Sequence, residues 1–418
     1  MINKNSVKVI ELSTRTLIMD IEQNVCLSVP VKSFKIDDLD DPENVVRKVL
    51  EKGKPDYLNK NQRLQTLNLF ITEKCNLSCP FCCMESDRKK DNYDILMPDK
   101  LGENFLEFIR KVNPRKIIIS GGEPFTNSHI DSIIDMITST TNSMISIQSN
   151  GFLLTDESIE YISGKVKMLE ISTSHYGNNF DRLEHIVRKA GKHGIGVALS
   201  YMYDSSNYEG LYKVLDLSNK YKTVFLINFV SPEGSALDHN IRIPESVEKL
   251  NVLFNIAKYM IQKGYREAGM VHMFFSPVTV QQSCGAYKKS MTIFPDGNVY
   301  PCHSIKDPQF LIGNIYNDNP EHIQHMWKEQ MENQEIKQLF SLEGKGICKE
   351  CKLKDICGGM CGAHIYRGLT GDCTMRKAML LFNILYFNRR KTIEQNLTEF
   401  VTYIDEKKYL QEIVEIEP

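Results

Sequence analysis

Three cysteines stand close together near residue 80, in the order Cys75-x₃-Cys79-x₂-Cys82, and Phe81 directly precedes the last of them. They follow an apolar run at residues 67–71. A [4Fe–4S] cluster normally takes four thiolates, so this set of three predicts a cluster with one iron free to bind another molecule. Structural zinc is the alternative, but it uses paired ligands with a matching second pair, and this spacing is asymmetric.

A second group of cysteines occupies the C-terminal half of the chain, and its members are Cys284, Cys302, Cys348, Cys351, Cys357, Cys361 and Cys373. Cys348-x₂-Cys351 could belong to a zinc module, but the spacings that follow do not supply a matching pair. The spacing therefore disfavours zinc in this region.

A loop motif supplies the third signature, because Gly121, Gly122, Glu123 and Pro124 follow the second β-rich run. Together with the first cysteine motif, this loop resembles the radical S-adenosylmethionine enzymes. The later cysteines resemble their SPASM extension, as found in maturases of ribosomally made peptides. The resemblance covers residues 68–373. It implies a [4Fe–4S] cluster on Cys75, Cys79 and Cys82 that reductively cleaves S-adenosylmethionine to a 5′-deoxyadenosyl radical.

The same resemblance implies ligands for two auxiliary [4Fe–4S] clusters. An outer cluster would be held by Cys348, Cys351, Cys357 and Cys373, and an inner cluster by Cys284, Cys302 and Cys361. Some relatives carry a further ligand just before this region, but residues 273–283 contain no cysteine. The inner iron would then be open, closed by a side chain such as Tyr287 or Gln282, or reserved for substrate.

Six residues are implied as contacts of the cofactor: Phe81, Gly121, Gly122, Glu123, Ser149 and Asn150. Glycine would let the loop backbone approach the methionyl ammonium closely. The hydroxyl and amide of Ser149 and Asn150 suit hydrogen bonds to the ribose. An ordinary turn that ends a strand is the alternative for this pair.

Two histidines are further candidates. His303 directly follows Cys302, where sulfatase maturases carry an aspartate that acts as a base, and this difference disfavours formylglycine formation. His303 could relay a proton, hydrogen-bond a cluster sulfur, or make a structural hydrogen bond. His175 lies near the end of the fourth strand and is expected to face the active-site cavity.

Residues 65–230 alternate short apolar runs with amphipathic stretches, which predicts a βα repeat. The runs are 67–71, 116–120, 144–149, 168–172, 196–201 and 223–230. Nearly continuous apolar strands separated by helices favour a parallel sheet, and six units favour an α/β fold with a partial (β/α)6 barrel. The cysteine motif, the glycine loop and Ser149 all follow strands, where the chemistry of such folds gathers.

Five segments are predicted: a small β-rich N-terminal segment at 1–60, the partial barrel at 65–232, a linking helical segment at 233–283, the SPASM domain at 284–373 and C-terminal helices at 374–418. Runs at 7–12, 17–21 and 25–31 predict a β-meander, and 42–52 predicts a short helix. The N-terminal segment would be a truncated peptide-recognition domain or a simple β-cap.

Composition narrows the class of protein. The chain has 418 residues, of which 42% are hydrophobic, so it can bury a large core. A formal net charge of −2 gives no electrostatic signature for nucleic acid. Neither a membrane-spanning run nor a signal peptide is expected, and 12 cysteines are too few for a disulfide scaffold. We therefore expect a cytoplasmic enzyme.

The expected function is modification of a ribosomally made precursor peptide, with a cysteine sulfur-to-carbon cross-link as product. A carbon–carbon cross-link, an epimerised residue and formylglycine are alternative products of the same radical chemistry. A non-catalytic zinc or electron-transfer metalloprotein is the alternative of another class. The enzyme would need an external one-electron reductant of the flavodoxin or ferredoxin type.

Overall fold

The structure is a computed structural model, and it describes residues 7–22, 25–30, 64–86, 94–204, 207–342, 345–369 and 371–416. In this part of the chain, a three-stranded sheet lies near the N-terminus and a nine-stranded sheet forms the centre. The helix predicted at 42–52 lies outside the described residues.

Six parallel strands make up most of the large sheet: β4 (Thr66–Phe70), β5 (Lys116–Ser120), β6 (Met144–Ser149), β7 (Met168–Ser172), β8 (Gly196–Tyr203) and β9 (Val224–Phe229). They lie side by side in chain order, and each pairs with the next in parallel. Among the strands of the described residues, β9 is the last in this order, so these strands do not close into a barrel. The predicted partial (β/α)6 architecture is confirmed.

The helices between these strands are α1 (Pro98–Val112), α2 (Ile130–Thr140), α3 (Asp156–Ile162), α4 (Phe180–Lys192) and α5 (Tyr208–Tyr221). Each buries a stripe of apolar side chains at helical spacing, as Leu101, Phe105, Phe108 and Val112 do on α1. Full burial of such a side chain stabilises the fold by about 1.5–3 kcal/mol. This packing fixes the strand ends on which the loops are built.

The cysteine-rich region extends the same sheet. Its strands are β10 (Ser290–Ile293), β11 (Asn298–Tyr300) and β12 (Gly313–Asn314). Strand β10 pairs in parallel with β4, and β11 and β12 follow as an antiparallel extension. Phe70 of β4 packs edge-on against Phe294, with ring centroids 5.3 Å apart. The two cysteine motifs are therefore neighbours across one sheet edge, which the sequence did not indicate.

The remaining helices are α6 (Ser235–Asp238), α7 (Ser246–Lys263), α8 (Ala268–Val271), α9 (Pro320–Glu332), α10 (Gln334–Phe340), α11 (Lys354–Cys357), α12 (Gly362–Tyr366), α13 (Thr374–Leu385), α14 (Ile393–Asp405) and α15 (Lys408–Ile416). Helix α7 packs against α13 and α14, which joins the linking segment to the C-terminal helices. Within the described residues, no helix has both the length and the apolar character needed to cross a bilayer.

The N-terminal sheet is an antiparallel meander of β1 (Val7–Glu11), β2 (Arg15–Asp20) and β3 (Val25–Pro30). The three strands predicted there are confirmed. The sheet is attached to the C-terminal half of the chain, because the Ser28 hydroxyl donates to the Ile384 carbonyl at 3.2 Å. Lys8 forms an ion pair with buried Asp355 at 2.8 Å. Peptide recognition by this sheet stays a prediction.

Candidate functional site

The loop that follows β4 brings the first three thiols together. The backbone N–H of Leu77 donates to the Cys75 sulfur at 3.4 Å, and the N–H of Cys82 donates to the Cys79 carbonyl at 3.1 Å. Burial, with the neighbouring thiols of Cys82 and Cys75, raises the pKa of Cys79 to about 12. Burial also raises the pKa of Cys75, with Glu123 and Cys82 adding to the shift.

Such a thiol set suits a metal cluster. Thiolates crowded into a half-buried loop repel one another, and a bound cation compensates that repulsion. Soft sulfur donors select iron–sulfur, zinc or copper over hard cations, and a set of three leaves one cluster iron without a protein ligand. The residues present therefore fit a [4Fe–4S] cluster with one open position.

His175 lies against this loop, as the sequence predicted for a residue facing the cavity. Its Nε2 is 3.2 Å from the Cys79 sulfur. Its ring stacks on Phe81, with centroids 5.5 Å apart and 17° between the planes. Burial lowers the pKa of His175, so the neutral imidazole is favoured. A neutral ring can donate one hydrogen bond to a thiolate at Cys79.

The two glycines of the loop after β5 allow it to touch the cysteine loop. Gly122 N–H donates to the Thr72 carbonyl and Glu123 N–H to the Lys74 carbonyl, both at 2.8 Å. A Cβ on Gly121 would overlap the Thr72 carbonyl, and one on Gly122 the Lys74 carbonyl. These glycines therefore make room for the backbone just before Cys75. Their predicted contact with the methionyl group stays a prediction.

Glu123 is fully buried and joins the ends of β5 and β6. Its carboxylate accepts hydrogen bonds from the Ser149 hydroxyl at 2.9 Å, from Asn150 N–H at 2.7 Å and from Phe125 N–H at 3.2 Å. Burial raises its pKa to about 7, although these three donors oppose the shift. The carboxylate thus organises the loops around the cavity.

The residues predicted to bind ribose also hydrogen-bond within the protein. Ser149 accepts from Gly151 N–H at 2.9 Å in addition to its bond to Glu123. The Asn150 amide donates to the Asn76 side chain at 2.8 Å, beside Cys75. The hydroxyl of Tyr176 donates to the Asn150 carbonyl at 2.9 Å. Ser149 and Asn150 thus connect β6 to the cysteine loop, and their ribose contact stays a prediction.

The outer cysteine set lines a cavity of about 740 Å³, together with Cys361. Its members are Cys348, Cys351, Cys357 and Cys373. Burial raises the pKa of Cys373, and the thiols of Cys348, Cys357 and Cys351 add to the shift, so the four lie close together. A cavity surrounded by four thiols fits a four-thiolate cluster.

The inner set also converges. Burial raises the pKa of Cys302 to about 12, with further contributions from Cys284, Cys361 and Glu233. The side chains suggested to complete this set have other partners. The Tyr287 hydroxyl donates to the Met331 carbonyl at 3.0 Å. Gln282 donates to Asp355 at 3.1 Å.

Glu233 and His364 border the inner set, and sequence reasoning missed both. His364 Nε2 is 2.9 Å from a Glu233 carboxylate oxygen. Ligand atoms of Glu233, Cys361 and His364 all lie within 4.8 Å of one another. Glu233 follows β9 as Cys75 follows β4, so its position after a parallel strand was the one available signal.

Lys345 is another buried residue that the sequence did not reveal, and its side chain is beside both auxiliary sets. Its Nζ donates to the carbonyls of Gly358 at 3.2 Å and Met360 at 2.7 Å. Burial lowers its pKa, while the thiols of Cys284, Cys348 and Cys361 oppose that shift. A cation there stabilises the negative charge of thiolate-bound clusters.

A short segment after β9 connects the first thiol set to the inner set. Ser235 N–H donates to the Cys82 carbonyl at 2.9 Å. Gly234 has φ +53°, and a Cβ on it would overlap the backbone of Cys82 and Cys83. The neighbouring residue, Glu233, lies beside Cys361. Residues 233–235 therefore contact both candidate metal sites.

Three further side chains lie around Glu233 at this junction. Cys83, His303 and Cys361 are exposed to solvent. Loss of solvation by the surrounding protein nevertheless raises the pKa of Cys83 and of Cys361. It lowers the pKa of His303, and the negative charge of Glu233 opposes that shift. A catalytic role for His303 stays a prediction.

Family models match two parts of the chain. The radical SAM superfamily model matches residues 69–218. The SPASM model, described as an iron–sulfur cluster-binding domain, matches residues 284–352. The first range contains the first cysteine motif and the glycine loop. The second range contains the start of the second cysteine region.

Three relatives illustrate the similarity in sequence. A probable GTP 3′,8-cyclase of Methanococcus aeolicus is 26% identical over 58% of this chain and 86% of its own length. Mycofactocin maturase MftC of Mycobacterium tuberculosis is 23% identical over 72% of this chain and 79% of its own length. The subtilosin biosynthesis protein AlbA of Bacillus subtilis is 23% identical over 73% of this chain and 68% of its own length.

A solved structure has a similar fold. Streptococcus suis SuiB bound to its precursor peptide SuiA superposes with a TM-score of 0.56 at 14% identity, covering 87% of this chain and 96% of SuiB. SuiB has also been solved with S-adenosylmethionine. The protein is an enzyme that binds [4Fe–4S] clusters and S-adenosylmethionine. The chain belongs to the radical S-adenosylmethionine superfamily and carries a SPASM domain.

Proposed function

We propose that this enzyme modifies a ribosomally made precursor peptide, and that the product is a cross-link between a cysteine sulfur and a carbon. When bound and reduced, the cluster cleaves S-adenosylmethionine and supplies a 5′-deoxyadenosyl radical. In this proposal Cys75, Cys79 and Cys82 hold that cluster. The loops carrying Gly122 and Asn150 hold the cofactor beside it.

The observation that carries the proposal is the segment after β9 that connects the first thiol set to the inner set. The segment around Gly234 touches Cys82 and Cys83 on one side, and Glu233 reaches Cys361 on the other. A substrate carbon near the radical would thus lie close to an auxiliary site. The side chains exposed at this junction would be accessible to a peptide segment, and SuiB binds a precursor peptide in a similar fold.

The proposed reaction is balanced with respect to atoms and electrons. The peptide loses one hydrogen atom from carbon, which ends in 5′-deoxyadenosine, and one proton from the cysteine thiol. A carbon–sulfur bond forms, and one electron leaves the substrate. The enzyme must accept that electron, and the adjacent auxiliary site would do so. An external one-electron reductant of the flavodoxin or ferredoxin type would start each reaction, in a cytoplasmic setting that keeps the thiols reduced.

A nucleotide cyclase is the second candidate, because the relative from Methanococcus is slightly more identical in sequence. Its match spans 58% of this chain, whereas the maturase matches span 72% and 73%. The greater coverage favours a peptide substrate. GTP is therefore a suitable negative control in the assays.

The test incubates the reconstituted enzyme, dithionite and S-adenosylmethionine with a cysteine-containing peptide encoded beside its gene. We expect the peptide to lose two hydrogens per cross-link, and fragmentation should join a cysteine sulfur to a carbon. A peptide deuterated at that carbon should transfer deuterium to 5′-deoxyadenosine. The matched control is Cys79→Ala, which should give neither product.

Other masses would point to other reactions. Loss of two hydrogens with fragments joined through carbon would replace the thioether by a carbon–carbon cross-link. Unchanged mass with an inverted residue would indicate epimerisation, and exchange of the thiol for an aldehyde would indicate formylglycine. Turnover of GTP with no change in any such peptide would contradict the peptide proposal.

A further inference from the structure

We propose that the carboxylate of Glu233 is the fourth protein ligand of the inner auxiliary cluster. This inference rests on the proposed assignment of Cys284, Cys302 and Cys361 to that cluster. It identifies the missing ligand as an oxygen donor from the end of the parallel sheet, outside the cysteine-rich region.

The geometry favours Glu233 in three ways. A carboxylate oxygen, the Cys361 sulfur and a ring nitrogen of His364 lie within 4.8 Å of one another. The side chain of Glu233 is only 10% exposed, so it is already withdrawn from water into the protein. Its backbone is fixed, because Gly234 packs against Cys82 and Cys83.

The donor set suits a metal ion. A withdrawn carboxylate oxygen stands within 4.8 Å of the Cys361 sulfur. Two such groups repel one another when both are ionised, unless a metal ion lies between them. Binding of Glu233 to the vacant iron of a three-thiolate cluster would remove that cost.

His364 is better suited to orient Glu233 than to bind iron. Its Nε2 is already 2.9 Å from the Glu233 oxygen, and a ring N–H donating to a ligating carboxylate is a common second-sphere arrangement. The Ser304 side chain also hydrogen-bonds to Glu233. A carboxylate has about four lone-pair positions, so two hydrogen bonds leave room for a metal bond.

A closed inner site has a consequence for catalysis. With Glu233 bound, the substrate thiolate would not be anchored on this iron. The inner cluster would instead accept the product electron without direct contact with the substrate. Arg367 and Lys345 nearby would balance the negative charge of the site.

The test uses cyanide, which binds an iron that lacks a protein ligand. Cys75, Cys79 and Cys82 are all changed to Ala, so the first cluster cannot contribute. After anaerobic reconstitution and reduction, ¹³C-cyanide is added, and the ¹³C hyperfine coupling to the cluster is measured by electron–nuclear double resonance. The iron and sulfide content per chain is measured in each sample.

We expect no ¹³C coupling in this background and a clear coupling after Glu233→Gln, which keeps the size of the side chain but is a poor ligand. Glu233→Cys should restore a four-ligand cluster and abolish the coupling. His364→Ala is the matched control and should leave the site closed. Cys361→Ala should lose the inner cluster and its signal.

Coupling in the background protein itself, or none after Glu233→Gln with the iron content kept, would overturn the assignment of Glu233 alone. Coupling after His364→Ala but not after Glu233→Gln would overturn it in favour of histidine. If the background protein held iron for only one cluster, the proposed inner set would fail together with its fourth ligand.

Discussion

Glu123 is an ionisable residue in the cavity that is completely withdrawn from water. It is completely buried, and three donors surround its carboxylate. Burial raises its pKa to about 7 from an ordinary value near 4.5. Because the folded-state pKa is the higher one, its contribution to stability is fully present below about pH 4.5 and is lost as the pH rises through about 7.

We predict that Glu123→Gln flattens the pH dependence of the stability of the metal-free protein. Wild type should lose about 3 kcal/mol from this group between pH 4.5 and pH 8, whereas the variant should not. Urea unfolding of both proteins at several pH values measures the difference. Parallel curves for the two proteins would contradict a buried, titrating Glu123.

A second prediction at this scale concerns His175. Its N–H donation to a thiolate at Cys79 stabilises the reduced, more negative cluster, so His175→Phe should lower the reduction potential while it keeps the stacking on Phe81. His175→Gln, which retains a donor, should stay closer to wild type. Potentiometric titration followed by electron paramagnetic resonance measures the reduction potential of the cluster in each protein. An unchanged potential in His175→Phe would refute the hydrogen bond.

Single residues differ in how well the sequence predicted them. The first cysteine set was predictable because its thiol spacing lies within one loop, whereas the two auxiliary sets were grouped only through the family resemblance. Ser149 was predicted on its chemistry alone, but its hydroxyl donates to Glu123, a partner 26 residues away. Glu233 had no motif, because its neighbours Cys361 and His364 come from a segment more than 120 residues further along.

At the scale of elements, the contact between two loops decides whether the first cluster can assemble. The loop after β5 donates two backbone hydrogen bonds to residues 72–74, and Gly122 has no space for a Cβ there. A side chain would have to push away the backbone that leads to Cys75.

Gly122→Ala should therefore lose the cluster at the first thiol set and keep the other two, so iron content falls by about four atoms per chain. Gly191→Ala on α4 is the control, because a Cβ there meets no atom within 4 Å and alanine favours a helix. Iron analysis with circular dichroism measures both. Full iron content in Gly122→Ala would show that the loop tolerates the shift.

The elements themselves were largely predictable. The apolar runs that became β5, β6 and β7 have the predicted bounds, because buried parallel strands are apolar on both faces. The pairing of β10 with β4 was not predictable, since it joins Ser290 to Thr66 across more than 200 residues. Short strands of this kind carry no signal for their partner.

At the scale of the whole molecule, the three thiol sets follow one another. The first set lies in the loop after β4, the segment after β9 connects it to the inner set, and the outer set lies beside α13. Lys345 lies beside the inner and outer sets. Under the proposed function, the two auxiliary sets would serve electron transfer and substrate handling, whereas cofactor cleavage would depend on the first set.

This division predicts different effects of two cysteine substitutions. Cys79→Ala should abolish 5′-deoxyadenosine formation, whereas Cys348→Ala should permit cleavage without peptide modification. Chromatography of the nucleoside together with mass spectrometry of the peptide distinguishes them. Equal loss of nucleoside in both, with iron lost from every site, would mean that the Cys348 cluster is needed for folding.

The most direct measurement of the central claim is 5′-deoxyadenosine released by anaerobically purified enzyme under strong reduction. The account predicts a protein that contains iron and sulfide, releases the nucleoside from S-adenosylmethionine, and loses this activity in Cys79→Ala. A protein that binds zinc in place of iron and sulfide, or that releases no nucleoside, would contradict it.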